Sequence, residues 1–371
     1  MTSLVLPVAV LLRARRAADA FRQLTGVAVD AAEHLTGRAA LLGLSPEGRI
    51  SAGGASRLMR SNDGWCALTL SRQDDVDAVP ALLESDAVGD NAWPAVQRWV
   101  ASCASADVTA RARLLGLPVA TLGETCAAPP RITTLGTAAA PRGPSELLVA
   151  DLSSMWAGPL CGQLLARADA TVVKVETPGR PDGTRAGPSK FFDWMNGEKL
   201  SYAVDLDQPT SLRRFLEAAD VVIESSRPAA LAHRSLGPSD IAPRDGRIWL
   251  RITGHGADGE RANWVAFGDD AAVSGGLVGG TDSDPTFCGD AIADPLTGLH
   301  AALAVAESLT RGGGELIELS MAAVAAAYAA DDRTAETLCT ATPTPPPPAS
   351  ELGADNAVVE RLMTERRLAS C

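Results

Sequence analysis

Leu147-Leu148-Val149-Ala150, then Asp151-Leu152-Ser153-Ser154-Met155-Trp156-Ala157-Gly158-Pro159, then Thr171-Val172-Val173-Lys174-Val175: this stretch decides the fold. The first and last runs are continuously apolar and short, the mark of strands buried on both faces. Between them a loop through Gly158-Pro159 leads into a helix ending near Ala166. Working outward, Val221-Val222-Ile223 follows a helix over residues 211–219, and Arg247-Ile248-Trp249-Leu250-Arg251-Ile252 makes a further strand. Buried strands alternating with helices predict an α/β fold, a doubly wound parallel sheet of Rossmann-like type. Its ligand is expected beyond the carboxyl ends of the strands.

The 371 residues suffice for two domains. Residues 127–145, with Pro129-Pro130 and Pro141-Arg142-Gly143-Pro144, read as a linker, and residues 331–350, around Thr342-Pro343-Thr344-Pro345-Pro346-Pro347-Pro348, as a stiff proline-rich one. These divide the chain into a small α+β domain (1–126), the Rossmann-like domain (146–330) and a helical tail (351–371). The small domain carries the strand-like Gly64-Trp65-Cys66-Ala67-Leu68-Thr69-Leu70 and helices near residues 93–101 and 106–115. Hydrophobic residues make up 46% and aromatic ones only 4%, so the cores are expected to be aliphatic and small-residue.

A net charge of −12 argues against a nucleic-acid surface or an anionic membrane as partner, and an anionic ligand then needs a local basic pocket. Seven scattered cysteines (66, 103, 126, 161, 288, 339 and 371), with no CxxC pair, read as reduced thiols of a cytoplasmic protein. Residues 4–12 are apolar, but their arginines follow rather than precede them, the reverse of a signal peptide. The four histidines (34, 233, 255 and 300) show no metal-ligand spacing, so no metal is expected.

Asp294-Pro295-Leu296-Thr297-Gly298-Leu299-His300 reads as a helix start, with Asp294 as N-cap and Pro295 first in the helix; Gly312 marks its end. Set at the positive end of a helix dipole, Asp294 is expected to stay ionised and to be a nucleophile for an electrophile. The loop after the first strand lacks GxGxxG, which excludes a dinucleotide pyrophosphate cradle and leaves Glu176 without a ribose to hold. Gly53-Gly54 reads as a turn or a mobile backbone donor loop, Gly275-Gly276 and Gly279-Gly280 as flexible loops, and Asp269-Asp270 as a solvated pair unless folded near Asp294.

Six short runs, in order, carry a resemblance. They are Trp156-Ala157-Gly158-Pro159; Ala168-Asp169-Ala170-Thr171-Val172-Val173-Lys174-Val175-Glu176; Asn196-Gly197-Glu198-Lys199 leading to Val204-Asp205-Leu206; Ala219-Asp220-Val221-Val222-Ile223-Glu224 with Arg227-Pro228; Ile252-Thr253-Gly254-His255-Gly256; and Asp294 to His300. Together they resemble the class III CoA-transferases, which include formyl-CoA and carnitine-CoA transferases and the related α-methylacyl-CoA racemases. In that family the small domain follows the core, whereas here residues 49–122 look like that domain placed first.

The resemblance implies an acyl-CoA:carboxylate CoA-transferase, with acyl-CoA and a carboxylic acid as substrates and no permanently bound cofactor. Asp294 is the implied nucleophile, forming an aspartyl anhydride and then an aspartyl-CoA thioester. It further implies CoA contacts at Trp156, Ala157, Thr177, Val204, Asp205, Leu206, Ser225, Ser226, Arg227, Arg234, Gly268, Asp269 and Asp270, a glycine loop at Gly53 and Gly54, and a homodimer. A racemase reading needs a histidine where the run here is Gly268-Asp269-Asp270, and a CoA-ester-binding relative without chemistry is the other alternative.

Overall fold

The computed structural model describes residues 4–85, 89–331, 335–339, 341–344 and 346–369; Pro345 of the proline run, and Ser370 and Cys371 of the tail, lie outside them. The chain opens with β1 (Leu4–Pro7), α1 (Val8–Thr25) and α2 (Ala31–Leu42). Asp30 caps α2 by accepting the Ala32 N–H at 2.9 Å. Next come β2 (Ser56–Arg60), β3 (Trp65–Thr69), α3 (Gln73–Asp77), α4 (Val79–Leu83), α5 (Trp93–Ser102), α6 (Ser105–Leu114) and β4 (Val119–Thr121). The strands of this group form an antiparallel sheet in the order β2-β3-β4. One face packs on the helices through Met59, Cys66, Leu68, Val96 and Val108. The other, through Leu58, Trp65 and Ala67, meets Val273, Val278 and Phe287 farther along the chain.

The remainder runs β5 (Arg131–Thr134), β6 (Leu148–Asp151), α7 (Ala157–Ala166), β7 (Thr171–Glu176), α8 (Ser189–Asn196), β8 (Leu200–Ala203), α9 (Thr210–Ala218), β9 (Val221–Glu224), α10 (Pro228–Ala232), β10 (Ile248–Thr253) and α11 (Gly268–Ser274). After these come β11 (Val278–Thr281), β12 (Asp284–Phe287), α12 (Ala293–Arg311), β13 (Glu315–Ser320), α13 (Met321–Ala329), β14 (Glu336–Cys339) and α14 (Asn356–Ala369). Among the described residues the largest sheet has seven strands in the order β5-β13-β10-β9-β6-β7-β8, all parallel except β5.

The apolar runs of the sequence have a direct cause. Along each central strand, successive residues enter different cores on the two faces of the sheet. Leu147, Val149, Val172, Val221, Ile223, Ile248 and Leu250 point to one, beneath α7, α12 and α1. Leu148, Ala150, Val173, Val175, Val222 and Trp249 point to the other, beneath α9 and α14.

Three local expectations change. The segment read as the linker 127–145 contributes β5, an edge strand whose exposed residues give no burial signal. Residues 4–35 share the core of the large sheet, through Leu6, Val10, Phe21 and Leu35, so packing groups them with it rather than with β2–β4. Gly279 and Gly280, read as flexible loop, lie in the β11–β12 hairpin. Among the described residues no helix is long and apolar enough to cross a membrane.

Candidate active site

Strand order reverses between β6 and β9, from which the chain winds outward in both directions. At that point the loops after the two strands meet, the Ser154 N–H donating to Ser225 Oγ at 3.1 Å. Two buried lysines brace the first loop. Lys174 pairs with Asp182 at 2.7 Å and also donates to the Ser153 carbonyl. Lys199 pairs with Asp151 at 2.8 Å, and Asp151 accepts the Ser153 N–H. Asp182 in turn accepts the N–H of Met155, which has a φ of 73°, a conformation side chains other than glycine seldom adopt. The brace fixes where Trp156 and Ala157 begin α7.

Asp294 lies against the start of α7. Its own helix begins at Ala293 with Ile292 at the cap, so Asp294 lies inside the first turn and is not the N-cap; Pro295 follows two places deeper than the sequence suggested. Its carboxylate is 9% exposed and faces the backbone N–H groups of Ala157 and Gly268. Close packing explains two glycines here. A Cβ on Gly268 would collide with Asp294 Oδ2 and the Ala291 carbonyl, and one on Gly298 would lie 2.6 Å from the Ala157 carbonyl.

A residue the sequence did not single out completes the site. Arg38, on α2, pairs with buried Asp290 at 3.3 Å. Its guanidinium lies 5.4 Å from the Trp156 ring and 5.7 Å from Phe191. A Cβ on Gly53 would fall 2.9 Å from Arg38 Nη2, so the glycine loop leaves this side chain its room. Asp269 joins from the other side, accepting from the Ala291 N–H at 3.0 Å and from Ser56 Oγ at 3.1 Å. Three carboxylates thus lie in the field of one guanidinium, with Asp290 alone at ion-pair distance among the described residues.

The electrostatics reverse the expectation of an always-ionised nucleophile. Burial pushes the Asp294 carboxyl up to about 7, and Asp269 adds to the rise, while Arg38 and the two backbone amides work against it. Burial likewise lifts Asp290 to about 6, with Arg38 opposing. Asp269 is raised by burial too, against the pull of Arg38 and its hydrogen bonds. The positive end of a helix is not enough once the group leaves water.

Of the other expected contacts, Trp156, Ala157 and Gly268 are at Asp294 or Arg38, whereas Thr177, Asp205, Leu206, Ser225, Ser226 and Arg227 follow the carboxyl ends of β7, β8 and β9. Val204 is buried in the core under α9 and α14. Asp270 is a correction: it is fully buried, accepting the Phe267 N–H and the Thr69 hydroxyl, each at 3.0 Å, so it caps α11 rather than facing a ligand. Arg234, exposed beyond α10, donates to its own Ala230 carbonyl at 3.1 Å. Glu176 is taken by Arg185 at 2.7 Å. His34 stacks on Trp194, while His255 meets Trp264 and His300 meets Tyr328 edge to face.

A two-sided α/β sheet with an aspartate at the start of the helix before its β13 strand defines the class. The family model described as CoA-transferase family III matches residues 145–358, more than half of the chain, and the chain belongs to that family. Similar proteins include a succinyl-CoA–D-citramalate CoA-transferase of Chloroflexus aurantiacus, 31% identical over 49% of this chain and 50% of that protein. A succinate–glutarate CoA-transferase of Agrobacterium fabrum is 32% identical over 50% and 53%. A succinyl-CoA:glutarate CoA-transferase of Mus musculus is 36% identical over 41% and 38%. The chain spans about half the length of the curated relatives it matches. Arg38 and Gly53 lie outside the matched span.

Proposed function

We propose that the protein transfers CoA from an acyl-CoA to a carboxylic acid, with Asp294 as nucleophile. The observation that carries this reading is a desolvated carboxylate with no ion pair among the described residues, facing two backbone N–H donors in a chain of this family. An Asp294 oxygen attacks the thioester carbon; the C–S bond breaks and CoA leaves as thiolate, giving a mixed anhydride. Thiolate attack on the aspartyl carbonyl releases the first acid and forms an aspartyl-CoA thioester. The acceptor carboxylate attacks that thioester, and returning thiolate takes the new acyl group, freeing Asp294. Arg38 keeps a fraction of Asp294 ionised at neutral pH, and the amides of Ala157 and Gly268 stabilise oxyanions formed at the aspartyl carbon.

The relatives named for succinyl, glutarate and citramalate substrates support a dicarboxylic acid as one partner. Cytoplasmic location and a homodimer belong to the same reading. Racemisation lacks support, since Asp269 stands where that chemistry needs an imidazole. The test is mass spectrometry after mixing with succinyl-CoA, followed by hydroxylamine trapping. A hydroxamate on the peptide containing Asp294, absent from Asp294→Asn, is expected. An unlabelled peptide in a protein that still binds succinyl-CoA leaves a binding protein instead.

A further inference from the structure

Gly53 and Gly54 form the tip of a short hairpin. Ile50 and Arg57 pair across it, the Ser51 N–H donates to the Ser56 carbonyl at 3.1 Å, and the Gly54 N–H to the Ser51 carbonyl at 2.8 Å. The tip touches Arg38, and Ser56 reaches Asp269. Arg57, next along β2, points to the opposite face of that strand. Arg60 lies on the face of Ser56, beside Trp65, and around this edge of the sheet a cavity of about 330 Å³ is lined by Arg49, Arg57, Arg60 and Gln97 with three apolar residues.

Its charge is unusual for so acidic a chain. Arg49 pairs with Asp284 at 2.6 Å. Arg57 has a buried guanidinium nitrogen, Nη1, without a hydrogen-bond partner among the described residues, and the charge of Glu47 acts on it without an ion pair. Arg60 has no carboxylate partner among the described residues. Arg49 and Arg60 stack over Trp65, at 4.6 and 5.7 Å, and Arg57 over Trp93 at 5.1 Å. Aromatic faces hold the three guanidinium planes in place, which removes the flexibility that usually weakens surface arginines. An unpaired buried donor is costly in a folded protein and points to a group that arrives later. The larger cavity, of about 510 Å³ around Arg142, Arg244 and Arg366, differs: there Asp220 already answers all three arginines.

We propose that the cavity behind the glycine hairpin is a phosphate-binding site, in which Arg57 and Arg60 hold the anion and Gln97 donates to it. Planar guanidinium forks match phosphate oxygens, and the volume, at the small end for ligand pockets, suits a phosphate with part of its carrier. That phosphate belongs either to the CoA substrate or to a separate phosphorylated compound. The proposal does not rest on acyl transfer at Asp294.

The experiment is calorimetric titration of the full chain with inorganic phosphate, then with CoA in its presence, beside thermal melting. Phosphate is expected to bind the wild type and Asp294→Asn alike, and Arg57→Gln at least about tenfold more weakly, the loss of one charge-assisted bond. Without ligand, Arg57→Gln should melt no lower than the wild type, because the unpaired nitrogen is gone; a purely structural arginine predicts a fall. CoA that displaces phosphate identifies the substrate's own phosphate, and CoA that binds beside it identifies a separate compound; either upholds the site. Wild-type affinity for phosphate in both Arg57→Gln and Arg60→Gln overturns it, as does a wild type that binds no phosphate at millimolar concentration.

Discussion

Around Asp294 three carboxylates lie in the field of one guanidinium, whereas at Asp220 three guanidiniums share one carboxylate. Both aspartates are buried, and burial raises the pKa of each. At Asp220 the rise is outweighed by the Leu148 N–H, Arg366 and Arg142, and the group ends below its usual 3.8. At Asp294 the opposing charges are too few, and it ends near 7. Depth alone therefore does not set the pKa of a buried carboxylate; the hydrogen-bond donors and cations within reach decide which way it moves. Asp220 joins the N-terminal ends of β6 and β9 to α14. Asp294 is left with a proton it can lose near neutrality.

The comparison breaks first at Asp220. Asp220→Asn leaves three arginines without their shared anion and is expected to cost about 3–5 kcal/mol, the usual loss when one member of a buried ionic cluster is removed. Because the Asp220 pKa is depressed, its contribution is present above 3.8 and lost as pH falls through the folded value. Urea unfolding should therefore show a gap between variant and wild type at pH 7 that closes in acid. A constant gap would mean that shape, not charge, was lost.

A smaller effect is expected at Arg38. Removing the Arg38 charge that opposes the rise of the Asp294 pKa, in Arg38→Gln, should move the acid limb of anhydride formation upward by about one pH unit and lower the rate at pH 7 about fivefold. Arg38→Lys should recover part of it. Single-turnover rates from pH 5 to 9 measure this, and an unmoved limb with a lowered plateau would reassign Arg38 to packing against Trp156. The smallest effect lies at Asp290. Its pKa is raised to about 6, so its contribution to stability is full below 3.8 and lost as pH rises through 6. Asp290→Asn should then melt like the wild type only below about pH 3.8, and a few degrees higher at pH 8. A lower melting point at pH 8 would mean that the pair with Arg38 outweighs the crowding of acids.

The strands were legible because burial on both faces leaves an uninterrupted apolar run, and Val221–Glu224 or Ile248–Thr253 leave little else to read. β5 was not, since an exposed edge strand such as Arg131–Thr134 has no apolar pattern. Asp294 was found by its run of residues, but its exact place was missed. Asp followed by Pro has the chemistry of a cap, and only the chain before it, through Ala291 and Ile292, shows that the helix has already begun. Asp270 was read as its neighbour's equal; one residue's difference on a helix start turned one carboxylate to the site and the other into the cap. Arg38 had no local signal at all. An arginine in an alanine-rich helix looks solvated, and its role arises only where α2 packs beside Trp156 and Phe191.

One hairpin of eight residues has Arg38 against its tip and an arginine-lined hollow against its flank. Stiffening at the hollow would have only the five residues between Ile50 and Ser56 to cross, and the Ser51–Ser56 and Gly54–Ser51 backbone bonds tie those together. An anion settled behind the hairpin, as proposed, would thus steady the space beside Asp294, and this small turn would act as a lever between the two sites.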